Sequence, residues 1–344
     1  MAPRMRRLLV TGGAGFIGSA FVRQRLRADP EVQITVLDKL TYAGSEENLG
    51  EYGNDPRLQF VRGDICDAAT VDTLAAEVDA IVNFAAETHV DRSLMDAGSF
   101  VQTDVYGTYV LLEVVRKRRV QRFLQVSTDE VYGHVKDGKS RETDGLLPRS
   151  PYSASKAAAE MLVHAYHASY DLPTLVTRGA NTYGPYQFPE KIVPLFITNA
   201  LQDLPLPVYG NGKAVRDYIY VDDHAEAIAR VLWKGDPGEA YNIGTGAEVS
   251  GAEVADSVLR LCGKPGSLRH FVKDRPGHDY RYALEATRMR KLGWQPTTTF
   301  RDGLRETVDW YRNHDDWWRK RKSPEFWDYY RRNYEGLPAN AFPS

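Results

Sequence analysis

Gly12-Gly13-Ala14-Gly15-Phe16-Ile17-Gly18 stands between an apolar run at 8–10 and a segment at about 16–27 with helical spacing. Gly12, Gly15 and Gly18 let the backbone turn sharply out of a strand. They bring a helix N-terminus up to an anion such as a pyrophosphate. Twenty residues past Gly18, Asp38 ends a second apolar run at 33–37. A carboxylate there accepts hydrogen bonds from an adenosine ribose and repels a 2′-phosphate, which favours NAD over NADP. Lys39, the next residue, is a cation that pulls the other way.

Further apolar runs at 58–61, 80–84, 123–126 and 174–177 alternate with helical segments. This alternation predicts a mainly parallel sheet with helices on both faces. After Asn181 the pattern loosens, broken by Pro185, Pro189, Pro194, Pro205 and Pro207. A strand at 216–221, a helix at 222–233 and a strand at about 239–243 follow. The expected division is 1–183 plus about 216–243 for the cofactor, and about 184–215 plus 244–310 for the substrate. From Trp310 the chain is rich in aromatics (Tyr311, Trp317, Trp318, Phe326, Trp327, Tyr329, Tyr330, Tyr334). Residues 311–344 read as a helix pair packed on the domain surface.

A formal net charge of −2 gives no global electrostatic case for nucleic acid or an anionic membrane. No segment reaches the ~20 apolar residues of a membrane span. Cys66 and Cys262 lie far apart without metal-ligand spacing, so neither a disulfide framework nor a metal site is expected. A cytoplasmic protein fits these features.

Two clusters carry chemistry. Tyr152 and Lys156, at i and i+4, share one helix face. A free phenol, with a pKa near ~10, is a poor base at neutral pH; an ammonium beside it stabilises the phenolate. Tyr152 can then accept an alcohol proton as hydride leaves. Thr128-Asp129-Glu130 follows the strand at 123–126, at the carboxyl edge where open α/β sheets bind ligands. Adjacent carboxyls with separated pKa values can act as base and acid, which water removal requires. Asp64-Ile65 ends a strand where an adenine would lie.

At these residues the chain resembles the dTDP-glucose 4,6-dehydratases of the extended short-chain dehydrogenase/reductase superfamily. The resemblance runs through Asp38-Lys39-Leu40-Thr41-Tyr42-Ala43-Gly44, Ala85-Ala86-Glu87-Thr88-His89-Val90-Asp91-Arg92-Ser93 and Ser127-Thr128-Asp129-Glu130-Val131-Tyr132-Gly133. It continues in Tyr183-Gly184-Pro185-Tyr186-Gln187-Phe188-Pro189-Glu190-Lys191, Arg216-Asp217-Tyr218 and Asp274-Arg275-Pro276-Gly277-His278-Asp279. It implies a Rossmann-type doubly wound parallel sheet with a smaller, interwoven α/β substrate-binding domain, and a homodimer formed through helices near 101–117 and 153–170.

The resemblance also implies roles. Tyr152 deprotonates the glucose 4-hydroxyl, with Lys156 assisting and Thr128 near O4. Glu130 removes the C5 proton, and protonated Asp129 donates to the departing C6 hydroxyl. NAD carries hydride from C4 to C6. Implied cofactor contacts are Gly12, Gly15, Phe16, Ile17, Gly18, Asp38, Lys39, Leu40, Thr41, Asp64, Ile65, Phe84, Ala85, Ala86, Thr103, Tyr152, Lys156 and Thr182. Implied substrate contacts are Thr88, Thr128, Asn181, Lys191, Ile192, Pro207, Val208, Tyr209, Arg216, Asn242, Asp274, Arg275 and His278. Arg216 offers a fork for a diphosphate and Tyr209 a flat face for a pyrimidine.

Three positions depart from the usual pattern: Thr182 and Asp104 each replace an asparagine, and Thr88 a serine. Rival readings are a UDP-glucose 4,6-dehydratase, a nucleotide-sugar epimerase or decarboxylase on the same fold, and a silent NAD-binding scaffold. Epimerases need no paired carboxyls, and decarboxylases commonly carry serine in place of Asp129. GDP-mannose 4,6-dehydratases tend to lack that aspartate and favour NADP. Asp129 is the deciding residue.

Overall fold

The structure, a computed structural model, describes residues 5–274, 278–334, 337–338 and 342. Seven strands form one sheet: β1 (Arg7–Thr11), β2 (Gln33–Asp38), β3 (Leu58–Arg62), β4 (Ala80–Asn83), β5 (Arg122–Thr128), β6 (Thr174–Gly179) and, later in the chain, β10 (Ala240–Ile243). Their order is β10-β6-β5-β4-β1-β2-β3, with every pairing parallel. β4 and β6 are buried along their whole length, as a sheet covered on both faces requires. Helices Phe16–Ala28 and Val221–Lys234 cover one face; Thr108–Arg118 and Pro151–Tyr170 cover the other. Chain order reverses between β1 and β4, which opens a crevice at their carboxyl ends.

The remaining strands form two small sheets. β7 (Asn181–Tyr183), β9 (Val215–Tyr220) and β11 (Glu248–Ser250) run in the order β11-β9-β7, and β8 (Leu206–Tyr209) pairs with β12 (Arg269–Val272). Within the expected grouping of 216–243, the helix Val221–Lys234 packs on the large sheet and β10 pairs with β6. β9 instead hydrogen-bonds to β7 and β11, outside that sheet.

A second apolar core lies beneath the small sheets, and the C-terminal aromatics belong to it. Trp317, Trp318, Phe326, Trp327, Tyr330 and Tyr334 pack with Val193, Phe196, Leu206 and Val258. Trp318 and Tyr330 are each 1% exposed, and the Trp318 indole donates to the Tyr311 carbonyl at 2.9 Å. The aromatics between 310 and 334 are thus part of a core rather than a surface addition, because burying such large rings yields several kcal/mol that exposure would forfeit (about 1.5–3 each). No helix among the described residues is long and apolar enough to cross a membrane.

Candidate active site

β1 ends at Thr11 and the glycine loop turns at once into the helix Phe16–Ala28. Gly12 has φ +68°, and a Cβ there would stand 2.5 Å from the Ala85 nitrogen, so this approach of loop to strand β4 requires glycine. Gly15 occupies the N-cap without a side-chain hydrogen bond, leaving the helix's first N–H groups facing the cleft. The Asp38 carboxylate ends β2 and accepts from the Ala14 and Leu40 N–H groups at 2.9 and 2.8 Å. Burial pushes it up and those N–H groups pull it back. This cradle fits a dinucleotide.

One cleft of about 420 Å³ runs from the cradle to the second core. Along its cofactor side lie Gly12, Gly15, Phe16, Ile17, Gly18, Asp38, Lys39, Thr41, Asp64, Ile65, Phe84, Ala85, Ala86, Thr103 and Thr182. Its substrate side brings in Thr88, Asn181, Lys191, Ile192, Pro207, Val208, Tyr209, Arg216 and His278. Thr128, Asp129, Glu130, Tyr152 and Lys156 sit where the two sides meet.

Three expected contacts fall elsewhere. Leu40 does not line the cleft: its φ of +55° makes it the turn that aims its N–H at Asp38. Asn242 is fully buried away from the cleft, its amide donating to the Ser140 and Glu285 carbonyls and accepting from Tyr132 Oη. Asp274 is not among the residues lining the cleft, and its Oδ1 lies 2.6 Å from His278 Nδ1. Arg275 lies outside the described residues.

The reacting groups are packed tightly. β5 ends at Thr128, whose Oγ1 accepts from the Glu130 N–H and donates to Asp129 Oδ1, both at 3.2 Å. Asp129 is 2% exposed and its Oδ2 has no hydrogen-bond partner among the described residues. Burial, then the Glu130 charge, holds the Asp129 carboxyl well above the usual carboxylate range. Its neutral form is therefore favoured, which makes it the candidate acid and Glu130 beside it the candidate base.

Tyr152 and Lys156 lie in the first turns of the helix Pro151–Tyr170, which Ser150 caps by accepting from the Ser153 N–H at 3.1 Å. The expected depression of the Tyr152 phenol by the ammonium is not found. Burial, then the Glu130 and Asp104 carboxylates, push the phenol well up, and a hydrogen bond with Thr128 pulls it down. Lys156 Nζ is turned instead onto the Val126 carbonyl at 2.7 Å, and burial lowers its own pKa. The physical reason is enclosure: low polarity and the neighbouring Glu130 and Asp104 carboxylates outweigh one ammonium already engaged elsewhere.

The partners of two expected residues, and two further residues of the lining, escaped sequence reasoning. Arg216 keeps its fork, but the Val215 and Asp279 carbonyls and the Tyr282 ring fix it in place. Tyr209 donates to Asp91 Oδ2 at 3.1 Å and packs against Tyr334, a residue of the C-terminal segment that reaches the cleft. His224, from the helix Val221–Lys234, also lines it. A histidine four residues after a strand end was a usable signal; Tyr334, inside an aromatic run, carried none.

A family model described as GDP-mannose 4,6 dehydratase matches residues 9–307. A dTDP-glucose 4,6-dehydratase of Streptomyces niveus is 50% identical over 324 residues, 93% of this chain and 96% of that one. The low-salt glycan biosynthesis protein Agl12 of Haloferax volcanii is 52% identical over 309 residues, covering 90% and 99%. Among solved structures, a dTDP-glucose 4,6-dehydratase of Streptomyces venezuelae with NAD and TYD bound superposes with a TM-score of 0.90. It is 49% identical, with 92% of this chain and 100% of that one covered.

Proposed function

This chain belongs to the dTDP-glucose 4,6-dehydratase family of the extended short-chain dehydrogenase/reductases, and we propose that it converts dTDP-glucose to dTDP-4-keto-6-deoxyglucose. NAD, when bound, supplies the acceptor for the C4 hydride and the donor that returns it to C6. The chain's own groups handle the protons. Tyr152 Oη takes the proton of the 4-hydroxyl as the phenolate, a form that the positive charge of oxidised NAD would favour in the filled cleft, with Thr128 beside it and Lys156 behind. Glu130 takes the C5 proton, acidic once C4 is a ketone, and Asp129 gives a proton to the departing C6 hydroxyl.

Asp129 carries this reading. Burial and the Glu130 charge favour its neutral form, one of its oxygens has no hydrogen-bond partner among the described residues, and it stands at the edge shared by both halves of the cleft. Epimerisation has no use for such an acid. The matching family model is described for a GDP-mannose enzyme, but Asp129 and the ribose-facing Asp38 favour the dTDP-glucose reaction with NAD. NMR of the product, with dTDP-glucose and UDP-glucose offered in competition, tests it. A 4-keto-6-deoxyhexose formed chiefly from dTDP-glucose is expected, and an unchanged or C4-epimerised sugar overturns it.

The same proposal takes the protein as a cytoplasmic homodimer. Val101, Tyr106 and Tyr109 on one side and Met161 and Tyr170 on the helix Pro151–Tyr170 are 41–57% exposed, the pattern of an apolar face that a second copy covers. Cys66 and Cys262 are both free, in keeping with a reducing compartment. Sedimentation at micromolar concentration should give twice the chain mass.

A further inference from the structure

His224 is 1% exposed, lines the cleft, and its Nε2 has no hydrogen-bond partner among the described residues. A buried ring nitrogen left unmatched costs free energy unless a ligand completes it. Its other nitrogen shows which kind of ligand. Nδ1 lies 2.8 Å from Thr182 Oγ1. The Thr182 hydroxyl has one hydrogen, directed at the Ala180 carbonyl at 3.2 Å. With that hydrogen on the Ala180 carbonyl, Thr182 Oγ1 is left to accept from His224 Nδ1–H, the arrangement in which Nε2 presents a lone pair. Burial holds the imidazole down to about 4, so the ring stays neutral at ordinary pH.

The position of this acceptor is also fixed. A Cβ on Gly179 would meet His224 Cε1 at 2.4 Å and Nε2 at 2.5 Å, so the ring lies flush against the end of β6 only because that residue is glycine. Gly179 is the register partner of Thr128 on β5. Nε2 is thus placed one strand from the reacting groups, at the end of the cofactor side where hydride must be exchanged. In a neutral, enclosed corner the matching partner is an uncharged N–H donor. The cofactor has one such group near its reactive ring, the carboxamide NH₂ of the nicotinamide.

We propose that His224 Nε2 accepts a hydrogen bond from the nicotinamide carboxamide, and that Thr182 selects the tautomer that makes this possible. Thr182 therefore serves the cofactor through His224 and not by its own hydroxyl. The bond fixes rotation of the nicotinamide ring and so which ring face meets C4 of the sugar. This rests on the NAD reading above.

The test compares NAD with 3-acetylpyridine adenine dinucleotide, in which a methyl group replaces the NH₂, by cofactor exchange on the full-length protein. The native chain should prefer NAD by about tenfold, the size of one buried hydrogen bond. His224→Leu should bring the ratio near one, and Thr182→Val should lower it while Thr182→Ser keeps it. An unchanged ratio in His224→Leu overturns the proposal. Failure of the native chain to bind either dinucleotide would instead overturn the NAD reading. If His224→Leu does not fold, ¹⁵N-histidine NMR of the native protein decides. An unprotonated Nε2 resonance that moves with NAD but not with the analogue is expected, and no such difference overturns the assignment.

Discussion

Lys39 Nζ lies 2.7 Å from Asp64 Oδ2, so the cation next to Asp38 is already committed to a carboxylate. The bond lowers the Asp64 pKa and raises that of Lys39. Lys39 had argued for NADP in the sequence; paired in this way it no longer offers a free charge to a 2′-phosphate. Asp64→Asn should release it. The ratio of NADP to NAD affinity, measured by titration, should rise by about threefold to tenfold, as expected for a partly exposed charge pair. No change would mean that Asp38 alone sets the preference.

Asp129→Asn keeps the shape of the acid and removes its proton. C4 oxidation does not require that proton, whereas departure of the C6 hydroxyl does. Single-turnover mixing with dTDP-glucose should show enzyme-bound NADH forming at near-native rate and then persisting. Loss of a general acid corresponds to about 10²–10⁴-fold in the elimination step. Absence of the NADH signal would place Asp129 in the oxidation instead.

Glu130 as the C5 base predicts exchange with solvent. Turnover in heavy water should leave deuterium at C5 of the product, read by proton NMR, and Glu130→Gln should reduce turnover by about 10²-fold or more. A product without label at C5 would exclude a solvent-exchanging carboxylate there.

Asp104 accepts from the Glu87 N–H at 2.9 Å and from Ser155 Oγ at 2.6 Å. Burial pushes its carboxyl up to about 6, against the pull of Lys156 and those donors. The folded state therefore binds a proton that the unfolded chain, with a carboxyl near ~3.9, has already released. Stability falls as pH rises from about 4 to about 6 and the cost stays in place above that. Asp104→Asn should raise stability at pH 8 by up to ~2–3 kcal/mol and leave it little changed near pH 4. Urea denaturation at the two pH values measures the difference.

What could be read in the sequence was local. Gly12 to Gly18, Asp38 and the Tyr152/Lys156 spacing each report through a few adjacent residues, and the seven parallel strands follow from alternating runs. Partnership across the fold leaves no such trace. Nothing near Asp217 says that β9 joins β7 and β11, and Tyr334 meets Tyr209 only after more than a hundred intervening residues have folded. The aromatic run after 310 was visible as aromatic but not as core, because composition is blind to what a ring packs against. For the same reason Lys156 could be placed on the face of Tyr152 without showing that its ammonium turns to Val126.

Asn242 shows the same limit and yields a prediction with a clear sign. Glu160 pairs with Arg178 at 2.8 Å; Arg178 Nη1 donates to Tyr132 Oη at 2.6 Å; Tyr132 Oη donates to Asn242 Oδ1 at 2.8 Å. The Asn242 amide then ties the Ser140 and Glu285 carbonyls to β10. Both polar atoms of the side chain are thus engaged inside the protein, which favours a structural role over contact with a sugar nucleotide. Asn242→Ala would leave the Tyr132 hydroxyl without its acceptor and the Glu285 carbonyl without this donor, while the Ser140 carbonyl keeps the Glu285 N–H, costing about 1–3 kcal/mol of stability. A residue that held substrate would raise KM instead. Denaturant midpoint and KM for dTDP-glucose, measured on the same sample, should show a large drop in the first and less than about a twofold change in the second. The reverse pattern would return Asn242 to the substrate site.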